Sequence, residues 1–304
     1  VIVSTLAYAV ALVPEIADDP DAIDRAMCLG YNWKHGPFAL IDQLGSAWLA
    51  DALEKDGHAV PPLLNATLTT AGRNSFYRTH NGQLQQFKGG SFEKVQRPKG
   101  VLLLEDVKRS GSPIAKNISS TLWDIGDGVA CLEFTSKMNS LNPFILLMID
   151  KAVRELPGRG FKAMVIHNDG INFSVGANIA LLLYGAKLRL WPFVRWVLKR
   201  GQDSFQKMRF APFPVIGAPS GMALGGGCEV LLHCDAIEAH AETYMGFVET
   251  GVGIVPGWGG CKELLGRWTT SKTCAGGPMP PVMKAFEIIA MAQIAKSAIE
   301  AQDF

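Results

Sequence analysis

A chain of 304 residues that is 48% hydrophobic and 19% charged can bury one large or two medium cores, which excludes a disordered protein. Its 29 Lys and Arg stand against 28 Asp and Glu, so no overall field holds a polyanion and nucleic acid is not an expected partner. No apolar run reaches the roughly 18–20 residues of a membrane span, and Cys28, Cys131, Cys228, Cys234, Cys261 and Cys274 show no CxxC spacing, which argues against structural zinc and a disulfide framework and for a reducing cytoplasm.

The first residues, VIVSTLAYAVALVPE, lack an initiator Met and a basic n-region, so they read as the start of a fragment rather than as a signal peptide. Helices are expected to about residue 60. Asp18 and Asp19 before Pro20 mark a helix start, Ile23, Met27 and Leu29 follow a helical period, and Gly30 reads as the stop. A second helix should start near Pro37 and turn Phe38, Ile41 and Leu44 inward. Residues 81–118 are polar, basic and punctuated by glycine, the composition of a linker or a strapped-on arm.

From about residue 119 the pattern changes to strands alternating with helices. Strands are expected at 129–134, 162–168 and 213–219 and an amphipathic helix at 142–156, which together predict an α/β layer structure. Residues 181–210 read as helical, with Leu181, Leu182, Leu190, Trp191, Phe193 and Trp196 either filling the core or forming a mobile wall beside an apolar ligand.

Three glycine-rich stretches could carry chemistry. In NFSVGANI (172–179), Gly176 and Ala177 let a ligand come close to the backbone. In SGMALGGGCE (220–229), glycines precede a helix start, where exposed N–H groups and the positive helix end can hold a developing oxyanion; without Gly-Lys-Ser/Thr it is not a phosphate loop. The alternative is that these glycines serve tight packing, with Glu229 a charge at the helix N-terminus. In GFVETGVGIVPGWGG (246–260), Glu249 precedes a second glycine-rich helix start, with Pro256 as the entry residue. Two glutamates beside glycine-lined turns can differ in protonation, one giving and one taking a proton. The six histidines have no metal-ligand spacing; His233 reads as a satisfied core residue. Ser174 and Ser220 lack the G-x-S-x-G elbow of a serine hydrolase.

The order NSLN (139–142), FSVGANI, SGMALGGGCE, FVETGVGIVPGWGG resembles the enoyl-CoA hydratase/isomerase, or crotonase, superfamily over roughly residues 119–270. The resemblance implies a spiral of repeated ββα units and an acyl-CoA thioester substrate. It places the two oxyanion-hole amides at Ala177 and Gly226, the two acid–base residues at Glu229 and Glu249, and further substrate contacts at Val175, Gly176, Gly225, Pro256, Gly257 and Trp258. Glu229 would activate a water and Glu249 deliver the Cα proton in the syn hydration of a trans-2-enoyl-CoA. Asn178 departs from the family's Asp and Ile171 from a lysine near CoA, so other residues are expected to meet the CoA phosphates; Lys187, Arg189, Arg195 and Lys199 are replacements on chemical grounds. Double-bond isomerisation by Glu249 alone and a non-catalytic acyl-CoA-binding or assembly module stay open as alternatives.

The stretch ADDPDAIDRAMCLGYNWKHGPFALIDQLG (17–45) resembles the helical C-terminal domain of 3-hydroxyacyl-CoA dehydrogenases through its W-x-x-GPF-x-x-x-D-x-x-G pattern. Three regions are therefore expected: an incomplete dehydrogenase C-terminal domain at 1–80, a linker at 81–118, and a C-terminally truncated hydratase domain at 119–304. The resemblance implies a fragment of a bifunctional β-oxidation protein. NAD would bind only an upstream Rossmann domain, this chain would need no cofactor or metal, and a homo-oligomer or a thiolase partner would be a property of the full-length protein.

Overall fold

In the computed structural model, which describes residues 1–69 and 74–303, the chain divides into two units, Val1–Gly111 and Ser112–Phe304. The first begins with helices α1 (Ile2–Ala11), α2 (Pro20–Tyr31), α3 (Pro37–Leu44), α4 (Ser46–Lys55) and α5 (Pro62–Thr69). Asp19 caps α2 by accepting from the Ala22 N–H, with Pro20 at the first turn, where its missing N–H costs nothing. The helix runs past Gly30 and ends on Asn32 in the left-handed conformation, which asparagine tolerates. Phe38 and Ile41 are fully buried beside Leu6, Val10, Leu49 and Leu64, whereas Leu29 and Leu44 are exposed.

Asp24 ties this unit together. Its carboxylate accepts from the Phe38 and Ala39 N–H groups at the start of α3 and from the Tyr77 hydroxyl. Asp42 does the same for the next segment, accepting from the Phe76 and Tyr77 N–H groups. Burial pushes both carboxyls up to about 6 despite these donors.

Residues 81–118, expected as a linker, are instead part of both units. Strands β1 (Tyr77–His80), β2 (Gln83–Lys88) and β3 (Ser91–Lys94) form an antiparallel meander, followed by helix α6 (Leu104–Ser110). The polar composition concealed the strands because their inward residues include Gln86, buried and accepting from the Asp21 N–H through Oε1, next to buried Phe87. The two compact units meet at 111/112.

The second unit contains β4 (Ala115–Lys116), β5 (Ser120–Asp124), β6 (Val129–Phe134), α7 (Pro143–Glu155), β7 (Ala163–Ile166), α8 (Ile179–Lys187), α9 (Trp191–Arg209), β8 (Val215–Gly217), β9 (Met222–Leu224), α10 (Gly226–Leu232), β10 (Ala236–Ile237), β11 (Tyr244–Gly246), α11 (Gly260–Thr270), α12 (Met279–Ala290) and β12 (Ile294–Ala295). One sheet has the order β10-β8-β7-β6-β5-β4, parallel from β6 through β10; the other has the order β12-β11-β9. The chain repeats one path. β8 lies in the first sheet, β9 in the second, and α10 follows; β10, β11 and α11 do the same. After β7, the bridge between Ser174 and Ala223 and then α8 complete a similar turn. Three crossovers of one pattern bring three loops to the same end of the second sheet.

The helix expected across 181–210 is broken at 188–190. Arg189 adopts a left-handed conformation (φ +58°), and Pro192 sits in the first turn of α9, where it needs no acceptor. Among the described residues no helix is long and apolar enough to cross a membrane, and no group of three His, Cys, Asp or Glu could hold a metal ion.

Asp24→Ala would leave three donors without their acceptor. It should lower stability by about 2–4 kcal/mol in urea denaturation of the whole chain, with Asp24→Asn intermediate because its amide oxygen still accepts.

Candidate active site

Parallel pairing of β9 with β11 sets Leu224 opposite Gly246, and the Gly225 N–H donates to the Gly246 carbonyl at 2.9 Å. Beyond that bond the two chains diverge, one into α10, which carries Glu229 in its first turn, the other into a 3-10 turn that Glu249 begins. Strand pairing therefore delivers both glutamates to one end of the sheet. A β-carbon built on Gly225 would lie 3.0 Å from Glu249 Oε1, so the second carboxylate lies against the entrance of α10.

The Gly176–Ala177 loop meets the same place. Leu141 donates its N–H to the Gly176 carbonyl and accepts from the Asn178 N–H, and this bridge leaves the Ala177 N–H between them unspent. Gly226 is the first residue of α10, and its N–H has no acceptor inside that helix. Neither N–H has an acceptor among the described residues. A β-carbon at Gly176 would lie 3.1 Å from the Gly226 nitrogen, and one at Gly226 3.2 Å from the Ala177 nitrogen. Two adjacent, unspent amide donors thus sit between the two glycine loops. Beside them is a narrow apolar cleft lined by Leu141, Leu146, Ala177, Leu182, Val197 and Trp258.

Glu229 is 2% exposed, and its Oε1 accepts from both the Trp258 and Gly260 N–H groups at 2.8 Å. Gly259 between them has φ +115°, a conformation that lets both N–H groups face one oxygen and that a side chain would strain. Burial pushes the Glu229 carboxyl up to about 7, winning over the two donors, and the charge of Glu249 adds to the rise. Glu249, also buried, accepts from the Val248 N–H through Oε2, and burial raises its carboxyl too.

Residues 124–272 match the family model of enoyl-CoA hydratase/isomerase, and residues 1–79 that of the 3-hydroxyacyl-CoA dehydrogenase C-terminal domain. The chain carries an enoyl-CoA hydratase/isomerase domain, preceded by a 3-hydroxyacyl-CoA dehydrogenase C-terminal domain. A Bacillus subtilis protein named "Probable 3-hydroxyacyl-CoA dehydrogenase" is 40% identical over 299 residues, 98% of this chain and 37% of that protein. A Rickettsia felis protein whose name describes a fatty acid oxidation complex trifunctional enzyme is 32% identical over 267 residues, 88% of this chain and 34% of that protein. The chain thus spans little more than a third of the length of these curated relatives. The solved enoyl-CoA hydratase of Bacillus anthracis superposes with a TM-score of 0.51 at 23% identity, covering 61% of this chain and 67% of that one; at that identity the likeness is one of crotonase fold.

Of the residues expected at the site of this crotonase-fold domain, Gly176, Ala177, Gly225, Gly226, Glu229, Glu249 and Trp258 converge, and Val175 adjoins them in the first loop. Pro256 and Gly257 belong to the Trp258 loop, where the Pro256 carbonyl accepts from Cys261 Sγ and the Gly257 carbonyl from Gln202 Nε2. His233 is fully buried, its Nδ1 2.7 Å from the Glu229 carbonyl, as expected of a satisfied core histidine. The 181–196 segment divides between inside and outside. Leu182 lines the cleft and Phe193 packs against the core, but Leu190, Trp191 and Trp196 are exposed; the Leu181 side chain lies outside the described residues. Sequence reasoning missed the support given by α9, where Gly201 makes room for the Trp258 indole and Phe205 meets it edge-on at 5.6 Å. A glycine inside an otherwise bulky helix was the available signal.

Glu229 keeps its proton up to about pH 7 in the folded chain, against 4.5 for an ordinary glutamate. The native state thus binds more protons than the unfolded state across that window, so stability falls as pH rises through it. Between pH 4.5 and 8 the native chain should lose on the order of 3 kcal/mol more than Glu229→Gln, measured by denaturant unfolding at each pH.

Proposed function

We propose that the second unit hydrates trans-2-enoyl-CoA thioesters to 3-hydroxyacyl-CoA. The observation that carries this reading is the pair of buried carboxylates beside two unspent amide donors. A thioester oxygen at the Ala177 and Gly226 N–H groups would gain enolate charge as the double bond is attacked, and backbone donors fixed in place stabilise such charge, about 3–4 kcal/mol for each. Glu229 takes one proton of a water whose oxygen adds to Cβ, and Glu249 gives a proton to Cα. The proton gained by Glu229 replaces, through solvent, the one Glu249 has lost.

The electrostatics suit Glu229 to the role of base. A base is most effective when its pKa lies near the working pH, and Glu229 is raised to about 7 while two N–H groups fix one of its oxygens, leaving its direction defined. Isomerisation of an enoyl-CoA double bond is the competing reaction in this family and needs only one of the two acids. We further propose that the hydroxyacyl product serves a dehydrogenase to which the first unit belongs, a reading supported by the names of the Bacillus subtilis and Rickettsia felis relatives. NAD would be held by that dehydrogenase's nucleotide-binding domain.

Hydration of an enoyl-CoA, followed by loss of absorbance of the conjugated thioester, tests the reading. Glu229→Gln should reduce kcat by about 10²- to 10⁴-fold; an isomerase working through Glu249 would lose little. The acid limb of the kcat profile should lie near pH 7, because protonated Glu229 cannot take a proton from water. Glu249→Gln should reduce kcat as well, because the amide cannot deliver the Cα proton; a variant with full activity would overturn the role given to Glu249.

A further inference from the structure

From Gly170 through Gln202 the chain contains no Asp or Glu but five bases, Lys187, Arg189, Arg195, Lys199 and Arg200, in a protein whose net charge is +1. The segment folds as the α8–α9 hairpin. Its inner side is accounted for: Gly185 lets Val194 and Phe193 approach α8, and Val197, Phe205 and Met208 enter the core. Its outer side is both apolar and cationic. Leu188 is 67% exposed, and Trp191 and Trp196 are each 54% exposed. Lys199 pairs with Asp203 and Arg200 with Asp150, whereas Lys187, Arg189 and Arg195 have no ion-pair partner among the described residues.

The left-handed turn at Arg189 puts Lys187, Leu188, Arg189 and Leu190 at the tip between the helices. Tryptophan beside leucine, ringed by unpaired bases and free of acids, is the composition that binds at the boundary between headgroups and acyl chains: indole rings suit the interface, and basic side chains meet lipid phosphates. A polyanion without an apolar layer would leave Leu188, Trp191 and Trp196 in water. A second copy of this chain would bring two cationic faces together.

We propose that the outer face of the α8–α9 hairpin docks on an anionic phospholipid surface. The contact is peripheral, since no described helix is long and apolar enough to span a bilayer. α8 begins at Ile179, two residues beyond Ala177, so docking at its far end holds the site within about one short helix length, roughly 13 Å, of the lipid. The use of that nearness rests on the acyl-CoA reading, because a long-chain thioester is itself an amphiphile; the docking does not.

Cosedimentation of the whole chain with vesicles, either phosphatidylcholine alone or phosphatidylcholine with phosphatidylglycerol, tests the proposal without any thioester present. Binding is expected to the anionic vesicles, with a blue shift of tryptophan emission, and should weaken as salt is raised. One unit of charge near such a surface corresponds to about fivefold in partitioning. The triple charge reversal K187E/R189E/R195E should therefore reduce binding by at least about 100-fold. W191S/W196S should weaken binding while removing the blue shift, and circular dichroism checks that both variants fold. Absence of binding to anionic vesicles at low salt overturns the proposal, as does binding that survives the charge reversal. Self-association abolished by W191S/W196S without any vesicle binding would assign the face to a second copy and equally overturn it.

Discussion

A carboxylate taken out of water must be given donors or lose its charge, and Glu229 is held at the balance point between these outcomes. Two backbone N–H groups, from Trp258 and Gly260, serve one of its oxygens, yet burial still pushes it up to about 7. The surrounding structure is arranged to keep that contact. Gly259 supplies a backbone conformation that turns both N–H groups inward. His233 ties the Glu229 carbonyl from below, with Phe205 packed at 5.4 Å against its ring. Burial moves its protonation toward neutrality, and the same burial costs folding energy once the proton leaves.

The two units solve the problem of buried acids differently. In the first, Asp24 and Asp42 each accept backbone N–H groups at the start of a following element, so their carboxylates organise chain direction. In the second, Glu229 accepts equivalent bonds at the start of α11 but stands beside a second carboxylate and two unspent donors. The hydrogen bonds are alike; the neighbours separate an acid that supports the fold from one suited to chemistry.

The site was legible in sequence because its geometry depends on backbone, and backbone access is written in glycines: 176, 225, 226, 259 and 260 mark where chains come together. The helix of 143–155 and the strand of 129–134 were legible through apolar period, and the structure adds the Asn142 cap. The β2–β3 hairpin was not, because a buried Gln86 satisfied by a remote N–H looks the same in sequence as an exposed one. The break at Arg189 was missed: arginine seldom adopts a left-handed conformation, and the available signal was Pro192, which sits in the first turn of α9 and lets Gly185 pack against Val194 and Phe193. The core reading of Trp191 and Trp196 failed for a related reason, since both are exposed and helical period identifies a face but not what covers it.

Gly201 lies within α9, where replacing glycine by alanine ordinarily strengthens a helix by roughly 0.5–1 kcal/mol. Here a β-carbon would overlap the Trp258 indole, and the Trp258 N–H is one of the two that hold Glu229. An engineer improving helix propensity position by position would select this site early. The substitution would instead displace the loop that sets the acidity of a residue 28 positions along the chain. In this fold, thermostabilisation by rule and preservation of the acid pair are opposed at a single hydrogen atom.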